Sequence, residues 1–261
     1  MFSISVPAES EFPLDTYLPV TDYRLLNPEP ENWLQWRGNY QGWTYSPLEQ
    51  INSDNVEDLR VAWVYSTDAS GAHQAPPIVN NGYMFVTTPE HQVIALNARS
   101  GNELWRYKRE LPKDHFAMHE TNRGVALYKD KVYLSGLDTC AIALDAVSGK
   151  EIWKNCLANW RLGFHMTLAP LAVDGLVIFG LSGAEYGVRC FLVALDADTG
   201  KEVWRTYTIP EPGQPGSETW PDDTWRSGGG SVWVTGTYDA DLKLAYFGIG
   251  NPAPWLAEMR K

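Results

Sequence analysis

The stretch VIFGLSGAEYGVRC, residues 177–190, carries the residue whose setting most invites a chemical reading. An apolar run ends at Leu181, gives way to Ser182, Gly183 and Ala184, and then presents a carboxylate, Glu185, with Gly187 two positions on. A charged group placed where a buried strand has just stopped, among side chains of minimal bulk, is either a solvated loop glutamate or a group held at a crowded strand end for a purpose. The local pattern leaves both open. Other chemistry-bearing residues are less organised. His73, His91, His115, His119 and His165 show no metal-ligand spacing on a recognisable element, and read as surface or pocket histidines. The 3 cysteines form neither a zinc motif nor a disulfide framework. Asp222, Asp223 and Asp239 sit among ordinary turn residues.

The elements that position Glu185 emerge from a repeat. The segments ALNARSGNELW (95–105), ALDAVSGKEIW (143–153) and ALDADTGKEVW (194–204) start 48 and 51 residues apart. A period near 50 signals an array or a propeller. In each, a strand ends at Asx-Ala, a Ser/Thr-Gly pair turns the chain, and a second strand carries Trp105, Trp153 or Trp204. Asp174-Gly175 joins two apolar runs as a tight hairpin, and Asn81-Gly82 and Lys129-Asp130 act similarly. Each unit therefore reads as four short antiparallel strands, with two apolar faces that only neighbouring sheets can cover. The expected fold is an all-β propeller of four-stranded sheets. The spacing of Ala and Trp predicts that a small residue on one strand receives a Trp ring from a neighbouring sheet. A fourth unit begins at 230–251, and LRVAWVYST (59–67) reads as a lone strand before the first complete sheet.

Composition narrows the function. The formal net charge is −11 with no basic cluster, which argues against a nucleic-acid partner. No apolar run reaches the roughly 18 residues of a spanning helix. The N-terminus MFSISVPAESEF has no visible export signal. If Asp145 pairs with Glu151 across the turn, Cys140 faces Cys156 and a cross-strand disulfide is available in an oxidising compartment; a register change of one residue removes it. Cys190 reads as a buried strand thiol.

WRGNYQGWTYSPLEQIN, NRGVALY, SGAEYGVR, GGGSVW and YFGIGNPAPW, with the three Ala-to-Trp segments, resemble the quinoprotein alcohol and methanol dehydrogenases that use pyrroloquinoline quinone (PQQ). The resemblance spans about residues 33–258 and implies an eight-sheet propeller of which this chain covers about the first half. It divides the chain into an N-terminal extension, 1–32, and a partial propeller, 33–261. By resemblance, Glu185 and Asn251 are ligands of a calcium ion, a lanthanide being the alternative, and Gln74, Arg123, Thr167, Ser182, Gly183, Ala184 and Trp233 contact PQQ. The implied reaction is oxidation of a small alcohol, in the periplasm, with electrons leaving to a c-type cytochrome or membrane quinone. Three departures stand out. Ala117 and Met118 occupy the place of an adjacent-cysteine pair, Gln74 replaces a glutamate, and the catalytic aspartate is expected beyond Lys261. The competing reading is a non-catalytic propeller that serves as a scaffold or protein-binding module.

Overall fold

The computed structural model describes residues 14–89, 91–256 and Glu258. The N-terminal stretch read for an export signal lies outside them. Three four-stranded antiparallel meanders follow one another along the chain. The first contains β1 (Ile78–Asn80), β2 (Tyr83–Thr87), β3 (Gln92–Asn97) and β4 (Glu103–Lys108). The second contains β5 (Val125–Tyr128), β6 (Lys131–Ser135), β7 (Cys140–Asp145) and β8 (Glu151–Cys156). The third contains β9 (Leu171–Val173), β10 (Leu176–Gly180), β11 (Phe191–Asp196) and β12 (Glu202–Tyr207). A two-stranded sheet, β13 (Thr237–Asp239) and β14 (Leu244–Tyr246), follows. Among the described residues no helix is long and apolar enough to cross a membrane.

The hairpin signals act as their chemistry requires. Asn81 and Gly82 take φ of 48° and 85°, and Asp174 and Gly175 take 47° and 78°. Positive φ at both central residues matches the twist of the flanking strands. The Asx of each repeated segment closes the next turn. Asp145 Oδ1 accepts from Ser148 N at 2.7 Å, and Asp196 Oδ1 accepts from Thr199 N at 2.8 Å.

Each repeated segment also contains a β-bulge. Ala143 opposes Trp153, whereas Leu144 opposes Glu151, so Ile152 is the extra residue; the same shift occurs after Ala95 and Ala194. This corrects the expected register. Leu144, not Asp145, pairs with Glu151, yet the bulge restores the alignment one residue on and Cys140 faces Cys156. The two are joined by a disulfide. Cys190 is a buried free thiol, its pKa pushed up to about 12 by burial.

Beyond the bulge, Trp105 and Trp153 reach the following sheet. Trp105 covers Gly149 and Trp153 covers Gly200: a Cβ on either glycine would meet the ring at 2.5 or 2.6 Å. The indole N–H groups donate at 3.0 Å to Ala146 O and Ala197 O. The receiving residue is thus the turn glycine, with the adjacent alanine carbonyl, and not the small strand residue expected from spacing. Trp63 repeats the contact on Gly101 and donates to Ala98 O at 3.2 Å. The segment 59–67 around it is extended but belongs to no strand among the described residues, and Val61 and Val64 are 80% and 86% exposed. The expected lone strand is replaced by a Trp anchor.

The inner ends of the sheets converge. A Cβ on Gly124, just before β5, would lie 3.5 Å from Ala169 Cβ and 3.8 Å from Ala75 Cβ, residues that lead into β9 and β1. A short helix α1 (Asp22–Leu26), capped by Thr21, packs on this assembly. Tyr17, Val20 and Leu25 join the same core as the sheets, so the N-terminal extension packs as part of the body from Leu14 onward. Trp33 bridges to Val79, and the Tyr40 hydroxyl donates to Ala172 O at 3.0 Å. One predicted surface or pocket histidine is neither: His91 is 0% exposed, and burial draws its pKa down to about 4.

Candidate functional site

The segments leading into β5 and β9, the segment following β10, and the segments flanking the last two strands line one cavity of about 430 Å³. Seven of the nine residues singled out by sequence share it: Gln74, Arg123, Thr167, Ser182, Glu185, Trp233 and Asn251. They come from every sheet region between residues 74 and 251, which is how converging meanders gather residues far apart in sequence.

Arg123 organises one wall. Its backbone N–H donates to Thr167 O at 3.0 Å, and its Nη1 donates to Thr167 Oγ1 at 2.7 Å and to Trp233 O at 3.3 Å. The guanidinium carbon lies 4.7 Å from the Trp233 ring centroid, a cation–π contact. Partial burial lowers the Arg123 pKa from its ordinary value, which leaves it charged at neutral pH. Trp233 is 45% exposed, so much of the ring remains available to another planar group.

Glu185 sits on a single 3-10 turn, Ala184–Tyr186, between Gly183 at φ 129° and Gly187 at φ 69°. Both flanking conformations favour glycine. Gly183 and Ala184 do not line the cavity. Their N–H groups donate to Ser231 Oγ at 3.2 and 3.0 Å, which ties the turn to the segment carrying Trp233. Their small size answers to packing: a Cβ on Gly183 would lie 2.3 Å from Gly163 O, and Ala184 is buried close to Gly229. Ser182 is buried in the wall with its hydroxyl 3.5 Å from Val232 O. Asn251 is fastened beside the same segment, its carbonyl accepting from Gly230 N at 3.1 Å. Its Nδ2 donates to Pro252 O at 3.1 Å, and its Oδ1 accepts no hydrogen bond from the described residues. The Glu185 carboxylate has no ion pair among the described residues.

The geometry also gathers residues that sequence did not assign to the site. Met118, His119, Thr121, His165, Ser231 and Trp255 line the cavity. Ser231 and Trp255 belong to motifs already noticed, GGGSVW and GNPAPW, but nothing in the sequence marks a serine that binds two backbone amides. His165 is buried in the wall, and that burial lowers its pKa. Met118 occupies the cavity edge where the adjacent-cysteine pair is replaced.

The residues present fit an anionic, planar, metal-linked guest: a charged guanidinium, an open indole, and a carboxylate and an amide oxygen without a partner among the described residues. Among the described residues no group of three or more His, Cys, Asp or Glu could hold a metal by itself. Glu185 and Asn251 supply two oxygen-donor residues, fewer than the six to eight oxygens a calcium ion takes.

Residues 33–258 match the family model described as the β-propeller domain of PQQ-dependent glucose/ethanol/alcohol dehydrogenases. The chain belongs to this family. It is 42% identical over 242 residues, 87% of the chain, to quinohemoprotein alcohol dehydrogenase ADH IIB of Pseudomonas putida. It is 37% identical over 260 residues, 90% of the chain, to the lanthanide-dependent methanol dehydrogenase of Methylacidiphilum fumariolicum strain SolV. The structure of quinohemoprotein alcohol dehydrogenase ADHIIG from Pseudomonas putida HK5 superposes with a TM-score of 0.87 at 37% identity over 95% of the chain. Those matches span only 35%, 43% and 39% of the respective relatives. The chain is thus a partial propeller of the PQQ dehydrogenase family, with its cavity at the inner ends of the sheets.

Proposed function

We propose that this chain is the PQQ-binding half of an alcohol-oxidising propeller, and that its cavity holds PQQ together with a calcium or lanthanide ion. The observation that carries the reading is the convergence of Glu185, Asn251, Trp233 and Arg123 on one cavity. Trp233 supplies the stacking surface, and Arg123, steadied by Thr167, pairs with acidic groups of the guest. Glu185 and Asn251 Oδ1 hold the cation. Ser182 offers a buried hydroxyl at the edge, and Gln74 an amide without charge.

When bound, PQQ would supply the two-electron acceptor and the cation the Lewis acidity that polarises it. The cavity residues bind and orient the guest, and none of them is assigned the task of taking the alcohol proton. The substrate is a small alcohol, the compartment periplasmic, and the onward acceptor a c-type cytochrome or membrane quinone. A scaffold propeller would need the Trp-to-Gly packing but would have no use for a carboxylate, an amide oxygen and a half-open indole facing one space.

The test is a titration of the purified chain with PQQ in the presence of Ca2+, followed by quenching of tryptophan fluorescence and by dye-coupled oxidation of short alcohols. Saturable quenching that Glu185→Ala weakens at least tenfold is expected. Absence of saturable quenching would sink the cofactor assignment, and binding without dye reduction would show that these residues hold the cofactor without completing turnover.

A further inference from the structure

The connection from β4 to β5, residues 109–124, contains neither helix nor strand. Connections longer than about 12–15 residues without secondary structure are uncommon and usually functional. Both ends of this one are tied down. Arg109 N donates to His91 O at 3.1 Å, and its Nη2 pairs with the buried Asp138 at 2.6 Å. At the other end the buried Asn122 donates to Ser135 O at 3.1 Å and accepts from Gly124 N at 2.9 Å. Between these anchors Asp114, Phe116, Met118, His119 and Glu120 are exposed, and Met118, His119 and Thr121 line the cavity. The segment is a strap with fixed ends whose middle runs along the cavity.

Phe116 joins the middle of the strap to two other rings. It lies edge-to-face with Tyr186, centroids 5.3 Å apart, and with Trp160 at 6.2 Å. The two receiving rings are held relative to each other. Trp160 belongs to a 3-10 turn capped by Gly163, where a Cβ would meet Tyr186 Cβ at 2.3 Å. Two backbone hydrogen bonds between His165 and Ser182, at 3.1 and 2.8 Å, tie the same segments together. Tyr186 follows Glu185 on its 3-10 turn. The strap therefore plugs one ring into a seat built partly from the turn that carries the cavity carboxylate. The Arg161–Asp114 pair at 2.8 Å also holds the strap, but both side chains are exposed and such pairs contribute little.

We propose that Phe116 is a positioning residue: its ring latches the strap along the cavity, and the closed strap retains the bound guest. This rests on the reading of the cavity as a PQQ site. The latch is reversible by construction. The Phe116 ring is 45% exposed, so withdrawing it uncovers little core, and edge-to-face pairs are individually modest. A segment with so few buried apolar contacts opens at lower cost than the sheets that frame it.

The experiment begins with hydrogen exchange of the full chain, free of guest, on peptides covering 110–121. Phe116→Ala should speed exchange there about tenfold through loss of two ring pairs, with β5 to β8 exchanging as in wild type. Phe116→Tyr, which keeps the ring, should match wild type. The second readout is release of PQQ from the chain loaded with PQQ and Ca2+, followed by recovery of tryptophan fluorescence on dilution. Release should be about tenfold faster from Phe116→Ala and restored in Phe116→Tyr. Unchanged exchange of the strap in Phe116→Ala overturns the latch, as does faster exchange with unaltered release. Exchange raised throughout the chain overturns it too, because the ring is then a general packing residue. Failure of wild type to bind PQQ removes the cofactor reading instead, and the guest-free exchange comparison still decides whether Phe116 holds the strap.

Discussion

Trp105 and Trp233 are the same side chain put to opposite uses. Trp105 is 9% exposed, lies on a glycine turn of the next sheet and spends its N–H on a backbone carbonyl. Trp233 is 45% exposed, with a guanidinium near its ring and the cavity beside it. The first contact recurs with Trp63 and Trp153. The second occurs at a residue outside the repeated segments. Residues that recur build the frame; residues that occur once face the cavity. A frame residue should cost stability when lost, and a cavity residue should cost binding.

The sharpest test of this division is Trp105→Ala, expected to destabilise by about 3–5 kcal/mol, with Gly149→Ala in the same range through ring displacement and positive φ. Urea midpoints would show it. If Trp233→Ala shifts the midpoint as far, the division is wrong. Next comes the disulfide. Opening the short loop between Cys140 and Cys156 by Cys156→Ser should cost about 3 kcal/mol, read from thermal unfolding under oxidising conditions. His91 tests the frame by pH. Its folded pKa of about 4 lies below the unfolded value, so the neutral form is favoured by folding. The stability it contributes is complete above about pH 6.5 and is lost as pH falls toward 4, amounting to up to about 3 kcal/mol. His91→Phe should flatten that part of the stability–pH curve. The smallest stability effect is expected at Trp233→Ala, under about 1 kcal/mol, alongside loss of PQQ-dependent quenching.

How much of this could be read from the chain follows the same division. The three Ala-to-Trp segments announced the sheets and their order because identical packing problems have identical solutions. The disulfide was visible through pairing arithmetic, although the bulge at Ile152 was not, and the answer held because the bulge lies between the turn and the cysteines. Residues 59–67 misled because alternating apolar residues do not reveal whether a partner strand is present. Residues brought to the cavity were legible only through family motifs. His165 and Ser231 escaped because their contacts, to Gly163 O and to the Gly183 and Ala184 amides, depend on backbone positions set by distant segments. His91 was misplaced because a polar residue in a hairpin turn gives no sign that the fold will bury it completely.

The Ser231 hydroxyl has a wider effect than its two hydrogen bonds suggest. It fastens the short turn bearing Glu185 to the stretch bearing Trp233, two residues away. A carboxylate and an aromatic plane that would otherwise drift separately are kept at a set spacing before any visitor arrives. The entropic toll of arranging them has already been met during folding, so little of a ligand's interaction energy is diverted into ordering its host.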